Sequence, residues 1–319
     1  MTQLSVGIIG LGRIGHAFGV STAGDPLSHS AAFSTLPDVR ISWGLDPDAM
    51  RRRAFAEQFP DAETWDNGDA LPPQPSDIVV VSSPTDAHRD GIDVALRLRP
   101  RVIVCEKPIA STVREARQIV ERVREAGSLL IVNYTRRFTP MLEHLRSETA
   151  AGRALAGPVV GCIRYTGGLV HNGTHWIDLC RAVFGDIVTA RQIVGAGSDN
   201  ESGSVELTFC HDRKVVLVAV STATYSIGEG EFYGASAAVR FAEGGEVVSV
   251  SDAEASGTWA AFRSLGPSRV LTREGLRGHM MELARHAAVL ARDGGTPQCT
   301  GDDGIAALET VEMATTVHA

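Results

Sequence analysis

Over the first 133 residues, apolar runs of strand length alternate with amphipathic stretches. Residues 4–9, 39–45, 77–82, 102–105 and 129–132 read as strands, and 77–82 is apolar throughout, as in a strand covered on both faces. Between them, helices are expected to begin over 12–18 and to fill 47–59 and 86–98. The clearest helix has Ser111 or Thr112 as its cap, Val113, Ala116, Ile119, Val120 and Val123 as its buried stripe, and Gly127 as its stop. Repeated strand–helix–strand units of this kind predict a doubly wound parallel sheet.

Beyond about residue 134 the rhythm changes. A helix over 139–150, a strand over 159–165 and a helix over 174–184 closed by Gly185 come first. Short runs at 204–209, 214–221, 231–233, 238–241 and 247–250, split by Gly, Asp and Asn turns, then predict a mainly antiparallel open sheet. Helical patterns at 277–291 and 303–313 close the chain and are expected to pack back on the first domain. The fold class is therefore α/β followed by α+β. Residues 1–133 form a dinucleotide-binding (Rossmann) domain, and 134–319 form a domain for substrate binding and self-association, the exposed face of an open sheet favouring a homo-oligomer.

A length of 319 residues suits two such domains. A net charge of −8 argues against a nucleic-acid partner, because little would neutralise phosphates. The run Arg51–Arg53, with Asp46, Asp48 and Glu57 nearby, reads as a solvated helix face. Five scattered cysteines form no CxxC and no metal-ligand spacing, which fits a reduced cytoplasm. No apolar run approaches the ~20 residues that span a bilayer. The expectation is a soluble cytoplasmic protein acting on a small molecule, without a metal.

Gly10-Leu11-Gly12-Arg13-Ile14-Gly15 follows the first strand and opens a helix, the context in which GxGxxG binds a dinucleotide. Gly10 permits the tight turn, Gly12 lets backbone approach a pyrophosphate, and Gly15 allows close packing. The pyrophosphate then sits on the helix N-terminus, where free N–H groups favour an anion. Asp46 ends the second strand, 31 residues past Gly15, with the stretch 21–37 reading as an insertion. Its carboxylate can accept the ribose hydroxyls and repel a 2′-phosphate, implying NAD rather than NADP; it can instead cap the helix that follows. After the third strand, Pro84, Thr85 and His88 are placed to reach a nicotinamide ribose, although Thr85 or Asp86 can equally be a helix cap and His88 an exposed helical residue. Lys107 ends an apolar run with Pro108 behind it. An amine there, partly desolvated beside an oxidised nicotinamide, would have its pKa lowered into a useful range; a lysine snorkelling from a strand end is the alternative. Glu106, adjacent on extended chain, points to the opposite face. In the second domain, His175 and Asp178 share one helix face, so Asp178 can orient a histidine that bonds a substrate hydroxyl. His171 with His175 lacks the further ligands a zinc site needs.

These segments resemble the Gfo/Idh/MocA family, the glucose-fructose oxidoreductase and inositol dehydrogenase group, nearly end to end. The likeness rests on Gly10–Gly15, Pro84 with His88, Glu106-Lys107-Pro108, Asn133 to Pro140 with Arg137-Phe138, and the glycines leading to His175 and Asp178. It implies an NAD(P)-dependent oxidoreductase acting on a sugar, polyol or derivative. It also implies that Lys107 is the catalytic lysine, His175 the second catalytic residue and Glu106 a neighbour of the nicotinamide. Tyr134, Arg137, His171 and Asn172 are expected around the substrate, and the Lys107–Pro108 bond is expected to be cis. His171 stands where the family usually carries a substrate-binding aspartate, which makes a modified or nucleotide-linked sugar more plausible than plain inositol or glucose. A cofactor-binding regulator without turnover is the rival reading.

Overall fold

The structure, a computed structural model, describes residues 3–21, 24–70, 75–194, 203–220, 224–259 and 261–316. The chain divides into two compact units, Met1–Phe138 with Gly278–Ala306, and Thr139–Arg277 with Ala307–Ala319.

The first unit is built on six parallel strands: β1 (Leu4–Ile9), β2 (Val39–Leu45), β3 (Glu63–Trp65), β4 (Ile78–Val81), β5 (Val102–Glu106) and β6 (Leu129–Asn133). Their order is β3-β2-β1-β4-β5-β6. The order reverses between β1 and β4, and ligands bind outside the carboxyl ends of strands at such a point. Residues 78–81 and 102–105 are wholly inaccessible, because helices cover the sheet on both faces. These helices are α1 (His29–Ser34), α2 (Ala49–Gln58), α3 (His88–Arg97), α4 (Val113–Glu125) and, from far along the chain, α7 (His279–Asp293), which lies against β4, β5 and β6. In α4 the buried positions are the five of the sequence stripe; Thr112 accepts from the Glu115 N–H at 3.2 Å, and Gly127, at φ +72°, ends the helix.

The glycine segment departs from expectation. It makes one wide turn, Arg13–Ala17, in which Phe18 N–H donates to Arg13 O at 2.9 Å, and no helix continues from it. Gly19, at φ +62°, and Pro26 break the path, and α1 starts only at His29 behind the cap Ser28. The strand β3 was not foreseen, being only three residues long.

The second unit holds a sheet of nine strands, β7 (Val159–Tyr165), β8 (Ile187–Val194), β9 (Ser204–Phe209), β10 (Arg213–Ala219), β11 (Gly228–Tyr233), β12 (Ala237–Ala242), β13 (Val247–Ala255), β14 (Arg263–Leu265) and β15 (Arg269–Thr272). The main order is β14-β13-β12-β11-β7-β10-β9-β8, with β15 on β13. Among the described residues, β7 with β10 is the one parallel pair of this sheet, and the other pairs are antiparallel. Three strands (β8, β14 and β15) were missed by pattern, and Ser221, the expected end of β10, lies outside the described residues. Along β7 every second residue is buried, so one sheet face packs while the other, with Val160, is open. Helix α5 (Pro140–Ser147) is capped by Thr139, and α6 (Thr174–Phe184) ends at Gly185, φ +90°. Trp176 of α6 stacks on Phe241, and Phe184 meets Phe232 edge-on, centroids 5.5 and 5.1 Å apart. Helix α8 (Gly301–Thr315) begins in the first unit and ends in the second. No helix among the described residues is long and apolar enough to cross a membrane.

Candidate active site

At the carboxyl ends of β1, β2 and β4 lies a cleft of about 920 Å³. Gly10, Gly12, Arg13 and Ile14 form one wall. Gly10 sits at φ +89°, and a Cβ there would come within 2.5 Å of Ser83 N. A Cβ on Gly15 would lie 2.0 Å from Gly10 O, so the turn closes only with glycine at both ends. Gly12, in contrast, leaves a space in which a Cβ would meet nothing nearer than Arg51 at 3.9 Å. That open cradle is where backbone N–H groups can receive a pyrophosphate. Ser82 braces it from β4, its hydroxyl donating to Gly10 O at 2.8 Å.

Asp46 lines the cleft but faces inward and is 2% exposed. One carboxylate oxygen accepts from Leu11 N–H at 2.8 Å and the other from Asp48 N–H at 2.9 Å. Asp46 therefore latches the glycine turn. The helix cap is Asp48, which accepts from Met50 and Arg51 N–H. The arginine run is not a single solvated face. Arg51 is exposed at the cleft with its guanidinium 3.4 Å from Asp46, half-buried Arg52 donates to Asp46 O and Pro47 O, and exposed Arg53 pairs with Glu57. The pattern of charges alone could not separate these three directions of one helix.

Past β4, Ser83 and Pro84 line the same cleft, and Thr85 opens a short turn beside it. His88 is not part of the cleft lining. It is 1% exposed, with Nε2 2.9 Å from Ser83 O and Nδ1 3.3 Å from Ile109 O, and it ties the β4 and β5 loops together. Burial holds it below the ordinary histidine range, against the opposing pull of those carbonyls and of Glu106. Phe18, Asn67, Asp90 and Val94 complete the cleft and carry no motif.

At the end of β5 the Lys107–Pro108 peptide is cis. Burial lowers the pKa of Lys107, Arg136 adds to that fall, and the charge of Glu106 opposes it. Glu106 is itself buried and receives two hydrogen bonds on Oε1, from His29 Nε2 at 2.8 Å and Asn133 Nδ2 at 2.6 Å. Burial alone would raise its pKa, but His29, Asn133 and the charge of Lys107 outweigh it and hold the carboxyl below the usual range. Sequence reasoning missed His29; its only local signal is a histidine between the serines of Ser28-His29-Ser30. Tyr134 is fully buried. Arg137 is buried and paired with Asp303 at 3.0 Å, tying the turn after β6 to the start of α8.

In the second unit, Gly167 adopts φ +90° and starts a wide turn, Gly168–Gly173, that runs straight into α6. The turn carries His171, which is exposed, and Asn172, whose amide donates to Thr166 O at 2.6 Å. His175 and Asp178 are buried in the first turns of α6. Among the described residues, no group of three or more His, Cys, Asp or Glu could hold a metal ion.

Residues 4–134 match the model of the oxidoreductase family with an NAD-binding Rossmann fold. An inositol 2-dehydrogenase from Acidothermus cellulolyticus is 29% identical over 236 residues, 69% of this chain and 64% of that enzyme; the match thus spans about three fifths of that relative's length. An inositol 2-dehydrogenase from Rhizobium meliloti is 26% identical over 97% of this chain and 94% of its own. A solved oxidoreductase from Agrobacterium radiobacter, in complex with NAD+, L-tartaric acid and magnesium, shares the fold, with a TM-score of 0.77 at 18% identity over 98% of this chain and 95% of that one. With the glycine cradle, the Glu-Lys-Pro segment and these matches together, residues 4–134 are matched to the NAD-binding Rossmann domain of the Gfo/Idh/MocA oxidoreductases, and the chain as a whole is similar to the inositol dehydrogenases among its relatives.

Proposed function

We propose that the protein is an NAD-dependent oxidoreductase that interconverts a secondary alcohol and a ketone on a sugar, polyol or nucleotide-linked sugar derivative. The observation that carries this reading is one unit holding both a glycine cradle at the strand-order reversal and, at the neighbouring β5, a half-buried lysine of lowered pKa. Gly10, Gly12, Arg13 and Ile14 would hold the pyrophosphate, and Ser83 and Pro84 would flank the cofactor farther along the cleft. NAD, when bound, supplies the acceptor for a hydride. In oxidation the uncharged Lys107 amine takes the hydroxyl proton of the substrate, and in reduction its charged form returns one. His175, on α6 of the second unit, is the proposed second catalytic residue, with Asp178 on the same helix face able to orient its ring.

NAD is proposed over NADP because the Asp46 carboxylate stands by the ribose site. Arg51, 3.4 Å from that carboxylate, offsets its charge, so the margin between the cofactors is narrow. The relatives named inositol 2-dehydrogenase support a cyclic polyol or sugar. His171 in place of the family's aspartate supports a modified or nucleotide-linked sugar, with His171 and Asn172 contacting it. Self-association through the open sheet face, in the cytoplasm, completes the proposal. Screening inositols, aldoses, sugar acids and nucleotide sugars with NAD, read as absorbance of the reduced nicotinamide, tests it. Turnover on at least one is expected; tight NAD binding with no turnover on any, in either direction, would overturn it in favour of a regulator.

A further inference from the structure

We propose that His29 is a positioning residue for the reaction described above: it fixes the carboxylate of Glu106 at the end of β5 and, through that carboxylate, the state of the Lys107 amine. The inference rests on the functional reading only for the word reaction; its geometry stands independently.

Helix α1 is set apart from the glycine turn by residues 18–28, yet it is tied back to it. Ser28 caps α1, accepting from Ala31 N–H at 3.3 Å, and Ser30 Oγ lies 3.0 Å from Nδ1 of His16 in the turn. Between these two serines, His29 is fully buried and directs Nε2 to Glu106 Oε1 at 2.8 Å, across 77 positions of sequence. Its Nδ1 has no hydrogen-bond partner among the described residues, so the ring serves Glu106 alone. Asn133 donates to the same oxygen at 2.6 Å, and Oε2 lies 3.3 Å from the backbone N–H of Lys107. A buried carboxylate keeps its charge only when donors and cations compensate its lost hydration. His29 and Asn133 do so here, and they also fix the rotamer immediately before Lys107.

Several charged or titratable groups surround this pair. Lys107 meets Glu106 and Arg136 from the turn after β6, while Glu106 meets His29 of α1, His88 of α3 and Cys105 of its own strand. Burial and Arg136 both push Lys107 toward its neutral form; Glu106 pushes the other way. Without His29, the Glu106 carboxylate loses one of the two donors that fix Oε1, its hold on the charge of Lys107 loosens, and Lys107 releases its proton at lower pH.

The chain contains two lysines, Lys107 and the exposed Lys214, so a protein labelled with carbon-13 lysine gives two ε-carbon signals to titrate by NMR without cofactor or substrate. In His29→Leu the Lys107 midpoint should fall by about one pH unit, the size of a lost opposite charge at close range, while Lys214 stays fixed. His29→Gln, whose amide can donate to the same oxygen, should keep the wild-type midpoint. Glu106→Gln should lower the midpoint as His29→Leu does, and adding His29→Leu to it should change nothing further. Should the leucine variant fail to fold, His29→Asn, polar but too short to reach Glu106, carries the same expectation. An unchanged midpoint in a folded His29→Leu protein, or an equal fall in the Glu106→Gln background, would overturn the proposal. Because no substrate enters, a protein without dehydrogenase activity would sink the functional reading and leave this test intact.

Discussion

Replacing Asp46 by alanine separates two roles that the same carboxylate could play. In the structure it accepts the N–H of Leu11 at 2.8 Å, and Leu11 is wholly buried in the glycine turn. The variant leaves that N–H without its acceptor, a loss of about 1–3 kcal/mol for a buried donor. The second bond, from Asp48 N–H, is half-exposed and can be remade with water, so it adds little. With a urea m-value of about 2–3 kcal/mol per M, the unfolding midpoint should fall by roughly 0.3–1.5 M. The turn it releases is the one that cradles the pyrophosphate, so NAD and NADP should both bind more weakly by calorimetry. NAD should lose more, because the repulsion against a 2′-phosphate disappears with the charge. An unchanged urea midpoint combined with a clean switch to NADP would refute this reasoning. Asp46 would then be a ribose ligand that does not hold the turn.

Other outcomes follow from the same geometry. Gly15→Ala places a Cβ 2.0 Å from Gly10 O, so the turn must move; an overpacking cost of about 1–3 kcal/mol in thermal unfolding and a marked loss of NAD affinity are expected, and wild-type values of both would show the turn to be pliable. Arg51→Ala removes the cation beside Asp46 and should widen the preference for NAD by up to about fivefold, the scale of an exposed ion contact, in paired NAD and NADP titrations. Lys107 is held below the ordinary lysine range, chiefly by burial. Oxidation needs the uncharged amine, so kcat/KM for oxidation should rise with pH to a plateau reached below that range, while reduction, which needs the charged form, falls over the same interval. Profiles of the same slope in both directions would exclude the amine as the proton carrier.

The elements whose pattern is local were legible in the sequence. The α4 stripe, its Thr112 cap and its Gly127 stop need only i, i+3 and i+4 neighbours, and β4 and β5 declare themselves by unbroken apolar runs. Features decided by distant partners were not. His88, Arg137 and Asp46 carry groups suited to a ligand, and the structure also joins them to Ser83 and Ile109, to Asp303, and to Leu11, partners that local spacing does not announce. Nothing near His29 in sequence announces Glu106. The single turn after Gly12 in place of a long helix follows from Gly19 and Pro26, whose breaking effect was subsumed in an assumed insertion. In the second unit, β14 and β15 are too short to show alternation, and β8 mixes charged and apolar residues at its middle.

The central claim is that Lys107 carries the proton in a hydride-transfer reaction. The most direct measurement is turnover and NAD affinity of Lys107→Met, on the substrate found by the panel, against wild type. In Lys107→Met kcat should fall by about 10²–10⁴-fold, the usual contribution of general acid–base catalysis, with NAD affinity by calorimetry nearly unchanged because the glycine cradle is untouched. Near-wild-type turnover in Lys107→Met would contradict the claim and leave the lysine a structural residue at the end of β5.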